Sequence, residues 1–194
     1  MINLFINYFE CPDLIRKAEF DYCYKRNVEN KFIDKIFVIT SDAKPFYTQF
    51  FEIMRKFPND VNIISNLDIY FDDTIKLANG IVPMGCYALT RWELWNNKVV
   101  FFETRNTAAH AKHSQDVWIF RGTPNFEANF SMGVPGCDNH LAYLIKMRGY
   151  NVINPCYSIK CIHVHASDNR PHHIGQRVRG QFHWVDPGEL PPKV

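Results

Sequence analysis

Apolar and polar positions alternate with a changing period along the first half of the chain. Residues 2–9 form an apolar run suited to a buried strand. Residues 12–28 follow with Pro12 near a helix start and Leu14, Ala18 and Tyr22 at i, i+4 and i+8, the spacing of one helical face. A second short strand is predicted over 35–40, closed by the polar Ser41-Asp42. A second helix follows over 44–56, with Phe46, Phe50 and Met54 on one stripe. Residues 61–71 read as a third strand and 73–79 as a short helix. Strands that are apolar at nearly every position are covered on both faces. This β-α-β-α-β order therefore predicts an α/β fold with a largely parallel sheet flanked by helices.

The second half is less regular. Strands are predicted over 84–94, 98–103 and 116–121, with a polar loop at 104–115. A Gly/Pro-punctuated segment, 131–137, leads into a helix at 138–148 with Leu141, Leu144 and Ile145 as apolar positions. Residues 151–165 contain a strand ending in His163-Val164-His165. From 166 onward there is no clean period, and Pro187-Gly188-Glu189-Leu190-Pro191-Pro192 resembles a linker. The expected organisation is one domain over 1–167 and a tail or linker over 168–194, leading toward a further domain in a longer chain.

Composition narrows the function classes. In 194 residues, 22 Lys+Arg against 20 Asp+Glu gives +2, so no global field draws the protein to nucleic acid or anionic membrane. No stretch approaches the ~20 apolar residues of a membrane span. The amino terminus lacks the basic flank and cleavage site of a signal peptide. The six cysteines show no Cys-x-x-Cys pair, which fits a reducing cytoplasm. A Rossmann glycine fingerprint and a P-loop are both missing, which argues against those two nucleotide sites.

In open α/β sheets, ligands sit beyond the carboxyl ends of the strands, so the polar residues there are candidates. They are Asn7, Tyr8 and Glu10 after the first strand, Thr40, Ser41 and Asp42 after the second, and Ser65, Asn66 and Asp68 on the third. Asn66 and Asp68, two apart on a strand, share a face and offer oxygen ligands of the kind that Mg²⁺ or Mn²⁺ prefers. Asp72 and Asp73 read as a helix N-cap and first-turn acid. His163 and His165 also share a face and can ligate a metal through nitrogen, although one core and one surface histidine is the plainer reading. Asp138, before a helix, reads either as an N-cap or as a carboxylate facing a cleft, where it can act as a base. Asp116 raises the same question. In Arg91-Trp92-Glu93, alternation makes Arg91 and Glu93 neighbours and so an ion pair. Trp92 gains interest only with a sugar, whose rings stack on aromatic faces.

Five segments in one order carry a family resemblance: Asn66-Leu67-Asp68-Ile69-Tyr70-Phe71-Asp72, Ala88-Leu89-Thr90-Arg91-Trp92-Glu93, Ser114-Gln115-Asp116-Val117-Trp118-Ile119-Phe120, Gly133-Val134-Pro135-Gly136-Cys137-Asp138-Asn139, and Asn154-Pro155 through His163-Val164-His165. Together, over residues 2–167, they resemble a GT-A type glycosyltransferase. The nearest resemblance is to the amino-terminal domains of chlorella-virus-encoded glycosyltransferases of capsid glycans, which would place the chain in a host cytoplasm.

That resemblance implies a UDP-sugar donor, carrying rhamnose or a hexose such as glucose, a glycan acceptor, and Mn²⁺ or Mg²⁺ bridging the diphosphate. The family's Asp-x-Asp is here Asn66-Leu67-Asp68, so metal binding would rest on Asp68, joined by His163 or His165 as a late ligand. Tyr8 and Asp42 would grip the nucleoside. With Asn7, Ser41, Asn66, Arg91 and Trp92 they make up the nucleotide-sugar candidates. Asp138, and after it Asp116, would deprotonate the acceptor or stabilise the cationic sugar, with inverting and retaining outcomes both open. The rival readings are a two-metal phosphoesterase using Asp68, His163 and His165, and a non-catalytic nucleotide-sugar-binding module.

Overall fold

A computed structural model describes residues 1–40, 44–107, 109–165 and 177–192. In chain order the strands are β1 (Ile2–Tyr8), β2 (Lys35–Thr40), β3 (Val61–Ser65), β4 (Ile69–Phe71), β5 (Gly85–Leu89), β6 (Trp92–Trp95), β7 (Lys98–Phe101), β8 (Val117–Arg121), β9 (Asn151–Ile153) and β10 (Cys161–His163). The helices are α1 (Leu14–Val28), α2 (Tyr47–Met54), the single turn α3 (Phe102–Arg105) and α4 (Cys137–Met147). A 3-10 helix spans Asp73–Gly80, capped by Asp72 Oδ1 accepting from the Thr74 amide at 2.9 Å. The N-cap reading of Asp72 therefore holds.

The central sheet has the order β2-β1-β3-β8-β5-β9. β1 is parallel to β2 and β3, and β5 to β9, whereas β8 is antiparallel to both of its neighbours. The fold is thus mixed α/β with a largely parallel central sheet. Strand alternation builds two cores, one per face. Leu4, Ile6, Ile63 and Ile119 pack with Phe20 and Ile75 on one side. Phe5, Ile64, Trp118 and Phe120 pack with Phe50, Phe51 and Met54 of α2 and Leu141 and Ile145 of α4 on the other.

Three predicted strands are each two strands in different sheets. The chain leaves the central sheet at Ser65, turns through Asn66-Leu67-Asp68, and joins a small sheet of order β4-β10-β6-β7. The segments over 84–94 and 151–165 break in the same way, at Thr90-Arg91 and after Ile153. At the breaks, polar side chains bind backbone. Thr90 Oγ1 donates within 2.7 Å of Ala111 O and 2.9 Å of Ser114 O. Consequently Asn66 and Asp68 do not share a strand face, and His165 lies just beyond the end of β10.

The face of α1 is also corrected. Leu14, Ala18 and Tyr22 point outward, with Leu14 80% exposed, while Glu19, Phe20, Cys23 and Asn27 are buried. Asn27 explains the choice. Its Nδ2 donates to Ile69 O at 2.8 Å and its Oδ1 accepts from the Phe71 amide at 3.1 Å, so one side chain pairs with the backbone of β4. The same face buries Phe20 and Cys23, so apolar burial and the two buried bonds act together.

Residues 177–192 are packed on the domain and do not form a linker. Val185 is buried in the core beside α2 and α4, and Asn154 Nδ2 donates to its carbonyl at 3.2 Å. The Val178 amide donates to Pro135 O and the His183 amide to Asn139 O, each at 2.9 Å, so the segment crosses the start of α4. Gly136, at φ +83°, allows this approach: a Cβ there would lie 3.1 Å from Val178 O. Among the described residues no helix is long and apolar enough to cross a membrane.

Candidate active site

The carboxyl ends of β1, β3 and β5 and the amino end of β8 meet at one edge of the central sheet. There they face the start of α4 and the small sheet across a cavity of about 350 Å³. Its walls include Asn7, Asn66, Asp68, Arg91, Asp116, Asp138, His163 and His165. The size suits a small organic ligand. Tyr8 and Trp92 do not line it. The Tyr8 hydroxyl turns to Asp21 Oδ1 at 3.1 Å. The Trp92 indole donates to Cys156 O at 2.8 Å and packs against Phe101, because alternation sends it to the face opposite Arg91 and Glu93. Ser41 and Asp42 lie outside the described residues.

Asn7, buried at the end of β1, has an Oδ1 with no partner among the described residues. An orphaned acceptor in a cavity wall is matched by a ligand that brings an N–H or O–H donor.

Asp68, His163 and His165 each offer one ligand atom, and these atoms lie within 4.8 Å of one another. Register explains the meeting, since His163 pairs across the small sheet with Ile69 on one side and Glu93 on the other. Its Nε2 is 3.1 Å from Asp68 Oδ2 and its Nδ1 2.9 Å from Glu93 Oε2. Burial works against the charge of His163, but the two carboxylates outweigh it and push its pKa up to about 9. Asp68 would be raised by burial, yet His163 and Arg16 hold its carboxyl well below the usual carboxylate range. The His165 ring stacks on His163 at 5.3 Å.

A second cluster lies beside the first. Arg91 Nε donates to Glu93 Oε1 at 2.7 Å, and Nη1 reaches both oxygens of Asp116 at 2.9 and 3.1 Å. Asn66 Nδ2 and Ser114 Oγ add further bonds to Asp116, at 3.2 and 3.4 Å. Arg91, Asn66 and Ser114 thus hold the Asp116 carboxyl group in place. Arg91 is partly buried, and although burial disfavours its charge, Asp116 and Glu93 raise its pKa.

Asp138 differs. It lies in the first turn of α4, whose N-cap is Gly136, and the Cys137 thiol donates to its Oδ1 at 3.1 Å. Burial, and then the charge of Asp116, push its pKa up to about 7, against the opposing pull of Cys137, Arg91 and the Gln115 backbone. A helix N-terminus favours an anion by about 1 kcal/mol at most in exposed settings, which is too little to reverse this. A carboxyl group balanced near neutrality in a cavity wall is suited to accept a proton there.

Arg16, Glu19 and Lys44 escaped sequence reasoning, as did the second contact of Glu93. Arg16 and Glu19 sit on the α1 face that was expected to point outward. Arg16 pairs with Asp68, with Glu19 at 2.5 Å, and with His165 Nδ1 at 2.8 Å. Glu93 was expected to pair with Arg91, but its second oxygen, toward His163, was not foreseen. Lys44 lines the mouth of the cavity and makes no ion pair among the described residues. No protein-family model and no curated protein sequence matches this chain.

Proposed function

We propose that the protein is a glycosyltransferase of GT-A type that moves a hexose or deoxyhexose from a UDP-sugar to a hydroxyl of a glycan acceptor. The observation that carries this reading is the shared cavity wall: Asp138, with its pKa near 7, stands in the same cavity as the Asp68, His163 and His165 cluster. A proton-accepting carboxyl and a cation-binding cluster are the two needs of sugar transfer from a diphosphate.

In the transfer, Asp138 accepts the proton of the acceptor hydroxyl as its oxygen bonds to the anomeric carbon. The bond from that carbon to the diphosphate breaks, with the electron pair leaving on the diphosphate. Lys44 and Arg16 are the wall cations that can meet that charge. Asn7 offers the unsatisfied acceptor for the nucleobase. The charge of Asp116 helps to keep a proton on Asp138, while Arg91, paired with Asp116, pulls the other way.

Asp68, His163 and His165 would hold a divalent ion through one carboxylate oxygen and two imidazole nitrogens lying within 4.8 Å of one another, with His163 giving up the Nε2 proton that it shares with Asp68. That donor set suits Mn²⁺ better than Mg²⁺, which prefers oxygen alone. When bound, the ion supplies Lewis-acid stabilisation of the departing diphosphate.

The test is UDP release from a panel of UDP-sugars with Mn²⁺, in the wild type and in Asp138→Asn, with UDP binding measured alongside. The expected result is release by the wild type, and UDP binding without release by the variant. Binding without release in both would make the protein a binding module. Hydrolysis of a simple phosphodiester with no sugar transfer would make it a phosphoesterase.

A further inference from the structure

Two of the three candidate metal ligands are already held by a cation that belongs to the chain. Arg16, in the first turn of α1, pairs through Nη2 with Asp68 Oδ2 and through Nη1 with His165 Nδ1 at 2.8 Å. A guanidinium has only donors, so His165 Nδ1 is the acceptor and presents to Arg16 one of the two nitrogens through which an imidazole can ligate a metal ion. Asp68 Oδ2, shared with His163 Nε2, is the corresponding oxygen. Glu19 Oε2 at 2.5 Å from Nη1, and the Phe20 ring 4.8 Å from the guanidinium carbon, steady Arg16 from its own helix.

We propose that Arg16 is a built-in counter-ion that occupies the ligand atoms of the metal site and yields them only when an anionic ligand enters with the divalent ion. A guanidinium and a divalent ion cannot both take Asp68 Oδ2 and His165 Nδ1, because the atoms are the same and the charges repel. Once released, Arg16 still lines the cavity and there meets the diphosphate of the nucleotide, which replaces the carboxylate it has left. Metal and nucleotide binding are then coupled through one side chain, and each strengthens the other by the same factor. The inference rests on the nucleotide-sugar reading above and adds to it an order: the ion alone binds weakly, and the ion with nucleotide binds well.

The experiment is a Mn²⁺ titration, followed by the electron paramagnetic resonance signal of the free ion. It is run with and without UDP on the wild type, Arg16→Gln, Arg16→Lys and Asp68→Asn. UDP is expected to tighten Mn²⁺ binding to the wild type by ~10-fold or more, within the usual range of site-to-site coupling. Arg16→Gln is expected to bind Mn²⁺ alone ~10-fold more tightly than the wild type and to lose most of the UDP effect. Arg16→Lys keeps the charge but cannot span both ligands, and falls between the two.

Unchanged or weaker Mn²⁺ binding by Arg16→Gln, with circular dichroism showing an intact fold, overturns the proposal. If the Gln variant does not fold, wild-type affinity in Arg16→Lys overturns it instead. Mn²⁺ binding that Asp68→Asn abolishes and Arg16→Gln leaves unchanged would keep the metal site and remove the exchange. Absence of Mn²⁺ binding in every variant, with and without UDP, would remove both.

Discussion

Glu93 holds His163 from behind, with Oε2 2.9 Å from Nδ1, so that Nε2 is turned to Asp68. The carboxylate is itself fixed by Arg91 at 2.7 Å and approached by Arg105 at 3.4 Å. Burial would raise its pKa, but His163 and then Arg91 lower it to about 2, so it stays an anion throughout the working range. Outer partners of this kind orient metal-ligating histidines and raise their basicity. Glu93→Gln keeps the shape and removes the charge. We expect Mn²⁺ affinity in the presence of UDP to fall ~10- to 100-fold. Urea denaturation should show a loss of about 3 kcal/mol, because Arg91 is left partly uncompensated. Unaltered Mn²⁺ affinity would mean that His163 is not a ligand.

Asp138 couples activity and stability in opposite senses. Its folded-state pKa is raised from 3.8 to about 7, so the folded protein holds a proton that the unfolded chain has released. Stability from this group therefore falls as pH rises from about 4 to about 7, and is level above. Asp138→Asn removes that penalty. At pH 8 the variant should be more stable than the wild type by something on the order of 2 kcal/mol, with the gain shrinking toward pH 4. UDP release by the wild type should rise with pH through about 7, and the variant should release none at any pH. A variant less stable than the wild type at pH 8 would contradict the raised pKa.

Asp116→Asn separates the two aspartates. The charge of Asp116 helps to keep the Asp138 proton in place, so removing it should move the rise in UDP release to lower pH. Activity above that rise should persist, although the fold loses about 3 kcal/mol as Arg91 gives up a partner. If Asp116 were itself the proton acceptor, the rise would vanish and activity would be lost across the pH range.

The packed carboxyl-terminal segment gives a stability prediction. Deleting residues 177–194 exposes the surface that Val185 covers and leaves Asn154 Nδ2 without the Val185 carbonyl. We expect a loss of at least about 3 kcal/mol in chemical denaturation. An unchanged midpoint would restore the linker reading.

Much of this architecture is written in local pattern. Runs such as Leu4-Phe5-Ile6 and Trp118-Ile119-Phe120, apolar at every position, read as strands covered on both faces, and they are. Asn7, Asn66, Arg91 and Asp116, polar residues at or just beyond the ends of central-sheet strands, line one cavity, which Asp138 of α4 and Asp68, His163 and His165 beside the small sheet complete. The periodicity of α1 shows that the helix has two faces but not which of them is inside.

Tertiary structure decided that question through Asn27, whose bonds to Ile69 and Phe71 span 42 and 44 residues of chain. It likewise decided the ion pairs that make the site: Arg16 with Asp68 across 52 residues, Glu93 with His163 across 70, and Asp68 with His163 across 95. It turned Tyr8 and Trp92 away and brought Arg16 in. Hydrophobic periodicity is a property of neighbours along the chain, and so it can be read from the sequence. The energy of a buried charge depends on which opposite charge lies within a few ångströms, and only the folded chain sets that distance.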